Sequence, residues 1–158
     1  MSAVRAAGLE AQVLRTAPAF GELRVSDGRD ACVVDLVAEP FPAIEEPEQA
    51  VVDGTAIRVD SKHEILASKL ATLLERSELR DLADVRALLS AGGDLQAGLR
   101  DAPKKDAGFS PLTLAWVLKD YDPRPAVKAL GWDAGDAAEL LSFRDWLIER
   151  LTTSAVPE

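Results

Sequence analysis

The chain has 158 residues, 47% of them hydrophobic and 28% charged, an ordinary globular balance with room for one core and a small helical annex. Its formal net charge of −9 makes it a poor generic binder of nucleic acid, because phosphate binding takes clustered Lys and Arg, although a local basic site stays open. A single cysteine, Cys32, excludes an intrachain disulfide, and one Cys with one His is too little for a zinc site. A bound metal would therefore be a hard cation held by carboxylates, Mg²⁺ first among them. No run of about 18 apolar residues occurs, and the N-terminal MSAVRAAGLE lacks the apolar core of a signal peptide, so the expected location is the cytoplasm, with no membrane partner.

Residues 2–7 read as a short helix end closed by Gly8. Three strand-like runs follow, over 9–16, 20–26 and 31–38. In the second, Leu23 and Val25 alternate with Glu22 and Arg24, the pattern of a half-buried strand, and Asp27-Gly28 marks the turn after it. The third, ACVVDLVA, is apolar except for Asp35 and reads as a strand buried on both faces, which completes a three-stranded antiparallel meander. Residues 39–53, with three prolines and the acids Glu45, Glu46 and Glu48, read as a loop, and 55–59 as a short fourth strand. From Ser61 the pattern turns helical, with Glu64 at capping-box spacing. Helices are predicted over 62–77, 80–91 (closed by Gly92-Gly93), 95–102, 111–120 behind an N-cap Ser110, 126–130 and 136–151. Strands first and helices later argue for an α+β fold, with a partial sheet over 1–60 and a C-terminal helical bundle over 61–158.

A few residues stand out from a bland fold. Asp35 inside VVDLV needs a cation, a metal or donors if it is buried, and reads either as a metal ligand or general base or as a strand-edge Asp or a structural ion pair. Lys69 lies four residues from both Ile65 and Leu73, on the apolar stripe of its helix, so it snorkels out or points into a polar site. In the next helix Asp81 and Asp84 flank the buried side beside Arg80. A short connection makes the two helices an antiparallel hairpin, on which Lys69, Arg80, Asp81 and Asp84 can share one surface. That surface reads as phosphate-binding cations beside catalytic carboxylates, or equally as helix-dipole acids with a Lys–Asp tie across the hairpin. Lys104 and Lys105 form the compact basic spot of an acidic chain, open to phosphate or RNA backbone and equally to simple solvation. His63 reads as exposed and without a role, and Trp116, Trp132 and Trp146 as packing residues.

Three segments, VVDLV, IRVDSKHEILASKLATLLERSELRDLADVRALL and KKDAGFSPLTLAWVL, together resemble the AbiEii/AbiGii nucleotidyltransferase toxins of type IV toxin–antitoxin systems, a resemblance spanning roughly Phe20 to Tyr121. It implies a nucleotidyltransferase-like sheet followed by helices. It also implies Mg²⁺-dependent transfer of a nucleotide from an NTP to RNA, tRNA among the acceptors, or to another hydroxyl, in the setting of phage defence and with an antitoxin partner. By the same resemblance Asp35 matches the third metal-binding acid, Lys69 the family lysine, Arg80 and Asp81 the RD pair and Asp84 the later acid, with Lys105 a candidate substrate contact. The family's Gly-Gly turn and D-x-D strand have no counterpart ahead of Asp35. The expectation is an N-terminally truncated member with impaired catalysis, so whether the chain is an enzyme stays open. The alternative is a non-catalytic remnant that associates with protein, itself included, through an exposed sheet edge.

Overall fold

The computed structural model describes residues 2–38 and 40–154, and the chain divides into two compact units, Met1–Pro42 and Ala43–Glu158. The architecture is α+β, with two small antiparallel sheets and seven α-helices among the described residues.

In the first unit, a short helix α1 (Ser2–Ala6) ends at Gly8, whose φ of +74° gives the left-handed exit that a residue without Cβ adopts without strain. Strands β1 (Glu10–Ala17), β2 (Phe20–Ser26) and β3 (Ala31–Val37) then form the antiparallel meander in the order β1-β2-β3. The turn between β2 and β3 is held by Asp27, whose Oδ1 accepts from the N–H groups of Arg29 and Asp30, both at 2.8 Å. The register shifts between Val13 and Arg15, the signature of a bulge at Leu14. Pairing places Ala11, Val25 and Cys32 in one row and Val13, Leu23 and Val34 in the next, so one face of the sheet is apolar. The other face carries the rows Arg15, Glu22, Asp35 and Gln12, Arg24, Val33.

The expected two-sided burial of β3 is overturned. Every residue of this edge strand except the half-buried Val34 is exposed, Val37 reaching 64%. A run of apolar residues cannot by itself tell a central strand from an edge strand, and β3 pairs on one side only. Asp35 is consequently solvated and incurs no desolvation cost.

The second unit opens with a hairpin that the sequence reading took in part for a loop. Strand β4 (Glu48–Val52) pairs with β5 (Thr55–Val59) through Asp53 and Gly54, at φ of +48° and +79°. Two successive positive φ values are the type I′ geometry that matches strand twist, and Asp-Gly between apolar runs was its signal; the prolines and glutamates upstream masked it. The helices follow: α2 (Lys62–Arg76), α3 (Leu79–Ser90), α4 (Leu95–Asp101) running into a 3₁₀ turn (Ala102–Lys104), α5 (Pro111–Asp120), α6 (Arg124–Ala129) and α7 (Ala134–Ser154). Ser61 caps α2 by accepting from Glu64 N–H, and Ser110 caps α5 by accepting from Thr113 N–H, with Pro111 in the first turn where its missing N–H costs nothing.

The core lies in these helices. Leu66, Leu70 and Leu73 of α2, Leu82 and Val85 of α3, Leu114 and Leu118 of α5, and Leu140, Leu147 and Leu151 of α7 are all sealed from solvent, each side chain contributing about 2 kcal/mol of apolar transfer. Gly98 lets α4 approach α2: a Cβ there would stand 3.1 Å from side-chain carbons of Leu66 and Leu70. Of the tryptophans expected to pack, Trp146 stacks on Phe143 with ring centroids 5.6 Å apart, yet none of the three is sealed in the core. Trp116 is 68% exposed, and Trp132 and Trp146 are each more than a third exposed.

Candidate active site

The α2–α3 hairpin builds the site from a short reversal. Ser77 takes φ +47°, ψ +47° at the end of α2, its N–H and hydroxyl both donating to Leu73 O, and Glu78 leads straight into α3. This returns the first turn of α3 against the last two turns of α2. Asp81 becomes a fully buried carboxylate on the apolar side of α3, next to Leu82 and Val85. An isolated charge there would be prohibitively costly, so the site is defined by what compensates it. Arg76 Nε donates to Asp81 Oδ2 at 2.9 Å and its terminal nitrogen to Oδ1 at 3.2 Å, a two-pronged contact. Lys69 Nζ donates to Asp81 Oδ1 at 3.1 Å and reaches Asp84 Oδ2 at 2.5 Å.

The charges tune one another. Burial pushes the Asp81 carboxyl up, but Arg76 and Lys69 outweigh it and hold its pKa below the usual value. Burial likewise pulls the Lys69 ammonium down, and Asp84 and Asp81 more than reverse it, so its pKa is raised. Hydrogen bonding to Asp81 raises Arg76. All three stay ionised at neutral pH. Lys69 remains 27% exposed and Asp84 about half exposed, so the ammonium sits at the mouth of the cluster and the Asp81 carboxylate at its floor. Tyr121, at the end of α5, has a buried hydroxyl with no hydrogen-bond partner among the described residues; burial first, and then the charges of Asp122, Asp81 and Glu78, raise its pKa.

Of the residues singled out in the sequence, the structure brings Lys69, Asp81 and Asp84 together. Arg80 is exposed on α3 and makes no ion pair among the described residues; the guanidinium on Asp81 is that of Arg76, which the sequence reading passed over. Only the left-handed Ser77 lets Arg76 meet Asp81 across a two-residue connection.

Lys105 is not an exposed basic spot. It is buried and ion-paired with Glu64, itself buried, whose Oε2 also accepts the N–H of Ile44 at 2.7 Å. The expected capping box is thus half made, because the Glu64 carboxylate turns to Lys105 and the incoming chain and not to the N-cap residue. Burial raises the Glu64 carboxyl, but Lys105 and the N–H groups of Ile44 and Glu45 together bring it below its ordinary value. Lys104 joins a second network, its Nζ 2.6 Å from Asp101 Oδ1, while His63 Nε2 lies 2.9 Å from Asp101 Oδ2. His63, read as exposed and idle, is a mostly buried partner of that carboxylate.

Asp35 belongs to the first unit. It stands on the charged face of the meander, directly opposite Glu22. Among the described residues no group of three or more His, Cys, Asp or Glu side chains gathers into a metal cage.

The chain belongs to the AbiEii family, described as nucleotidyl transferase AbiEii toxin of the type IV toxin–antitoxin system, whose model matches residues 5–134. No curated protein and no solved structure is significantly similar to it. None of the helices among the described residues is long and apolar enough to cross a membrane.

Proposed function

We propose that the Lys69 cluster is a triphosphate-binding site and that the chain works, or derives from an ancestor that worked, by transferring a nucleotide from an NTP to a hydroxyl acceptor such as tRNA. The observation that carries this reading is the Lys69 ammonium, rooted by the buried Asp81 yet open to solvent, in a member of a nucleotidyltransferase family. In this reading Lys69 takes the phosphates, Asp81 and Arg76 hold it in place, Asp84 is the partner it exchanges, and the exposed Arg80 supplies a further phosphate contact. Lys105 and Glu64 position the start of α2 and not the substrate. Asp35 is the carboxylate assigned to Mg²⁺, which when bound would neutralise phosphate charge and lower the pKa of an attacking hydroxyl. An antitoxin partner follows from the family setting.

The test is transfer of label from each α-³²P-NTP to bulk tRNA with Mg²⁺, comparing the natural chain with Lys69→Met. Labelled tRNA that disappears in Lys69→Met supports transfer; no labelled product, or equal labelling by the variant, removes the lysine from catalysis. A second reading is favoured by the exposed apolar rows of the meander, with Val13 and Leu36 about half exposed. In it the chain acts by protein association, including with itself, and sedimentation should show a dimer or larger species that Leu36→Lys dissociates.

A further inference from the structure

Strand β3 is a sheet edge without the devices that usually guard one. Among the described residues it pairs with β2 alone. The opposite edge, β1, is broken by the register shift at Leu14, with the charged Arg15 beside it. β3 has no proline, no lysine and no bulge, and Asp35 is its one charge. The register also tells which way its backbone points. Asp27 N–H donates to Asp30 O at 3.3 Å and Ala38 N–H to Ala19 O at 2.8 Å, so the pairs at both ends of the β2–β3 ladder are hydrogen-bonded ones. Such pairs alternate along an antiparallel ladder, which makes Cys32, Val34 and Leu36 the residues that bond to β2. The N–H and C=O groups of Ala31, Val33, Asp35 and Val37 therefore point to the free side.

These outward positions are symmetric about Val34. A two-fold axis there sets a second β3 antiparallel to the first, with Val33 opposite Asp35 of the second copy and Ala31 opposite its Val37, so every outward-facing residue gains a hydrogen-bonding counterpart. Charge is complementary in the same register. One row of the charged face runs Arg24, Val33 and then Asp35 of the second copy. Arg24 and Asp35 are exposed and make no ion pair among the described residues. With strands about 4.8 Å apart, their backbones stand ~10 Å from each other, a gap that a guanidinium spans over Val33, and symmetry makes the contact twice. The two Asp35 carboxylates fall on a diagonal, about 7–8 Å apart, each with its own arginine. On the apolar face, Val25 and Cys32 continue into Leu36 of the second copy, and Leu23 and Val34 into its Val34. A strand of unrelated sequence would leave Arg24 and Asp35 unmatched.

We infer that β3 is a docking edge for the β3 of a second copy of this chain, the two meanders joining into one continuous antiparallel sheet across a two-fold axis at Val34, tied by Arg24 of each copy to Asp35 of the other. The inference rests on the association reading above and is independent of nucleotide transfer.

The test is sedimentation of the full chain joined to oxidative cross-linking. In this register Cys32 stands opposite Leu36 of the second copy in a pair that is not hydrogen-bonded, where Cα atoms lie about 4.5 Å apart, within disulfide reach. The natural chain should sediment as a dimer without cross-linking, because each Cys32 faces Leu36 and not the other Cys32. Leu36→Cys should cross-link to a dimer on mild oxidation, and Leu36→Cys with Cys32→Ser should not. Arg24→Asp and Asp35→Arg should each weaken the dimer about tenfold, and the two together should restore it, the scale of two exposed ion pairs. A monomeric natural chain overturns this pairing and the association reading together. A dimer that Leu36→Cys leaves uncross-linked, or whose charge variants fail to rescue each other, overturns the pairing while the association reading stands.

Discussion

The two units solve the burial problem in opposite ways. In the helical unit Leu66, Leu70, Leu73, Leu82, Leu114, Leu118, Leu140, Leu147 and Leu151 of α2, α3, α5 and α7 are sealed, and the charges drawn inside with them are paired. In the meander unit the apolar rows are half exposed and the one striking acid, Asp35, lies in water. A sheet whose apolar rows stay half exposed gains only part of the transfer free energy of burial, whereas a sealed helical core gains nearly all of it. Stability is therefore concentrated in the helical unit, and the meander is the region with surface left to share.

The sharpest way to break this contrast is at Asp81. Asp81→Ala takes from Arg76 and Lys69 the buried carboxylate they share and opens a void beside Leu82 and Val85, and should cost at least about 3 kcal/mol, read as a lower midpoint in urea unfolding of the helical unit. Lys105→Met comes next at about 3 kcal/mol, because Glu64 stays buried with only backbone donors. Acid should act on the same groups. Asp81, Glu64 and Asp101 all have lowered pKa values, so each contributes stability that is complete above the unfolded carboxyl values of about 3.9–4.3 and is lost as pH falls through the lower folded values. Circular dichroism should show a helical plateau at neutral pH and unfolding below about pH 4. Lys69 behaves in the opposite sense: its raised pKa makes its contribution complete below about pH 10.4 and lost only above that. The smallest effect belongs to the meander: Asp35→Asn, exposed and without an ion pair among the described residues, should change stability by no more than about 0.5 kcal/mol. A large loss there would show that the contrast between the units is drawn wrongly.

Much of the helical unit was legible because its signals are local. Ser61, Ser110 and Pro111 mark helix starts, and α5 falls on its predicted span of 111–120. Lys69 was visible as a charge on an apolar stripe, and its tie to Asp81 followed from a short hairpin. What stayed hidden depended on long-range partners. Nothing near Lys105 announces that Glu64, 41 positions earlier, will bury with it, and nothing near His63 points to Asp101. Whether ACVVDLV is a central or an edge strand is a property of its neighbours, not of its letters. Arg76 carries no local signal of its role, because only the left-handed Ser77 brings its guanidinium around onto Asp81.

The most direct test of the proposed triphosphate site is calorimetric titration of the full chain with each NTP in the presence of Mg²⁺, alongside Lys69→Met and Asp35→Asn. The site predicts saturable heat for at least one NTP, lost in Lys69→Met while its circular dichroism stays native. Flat heats for all four nucleotides, or binding that Lys69→Met leaves intact, would contradict it and leave the lysine as a tie across a helical hairpin.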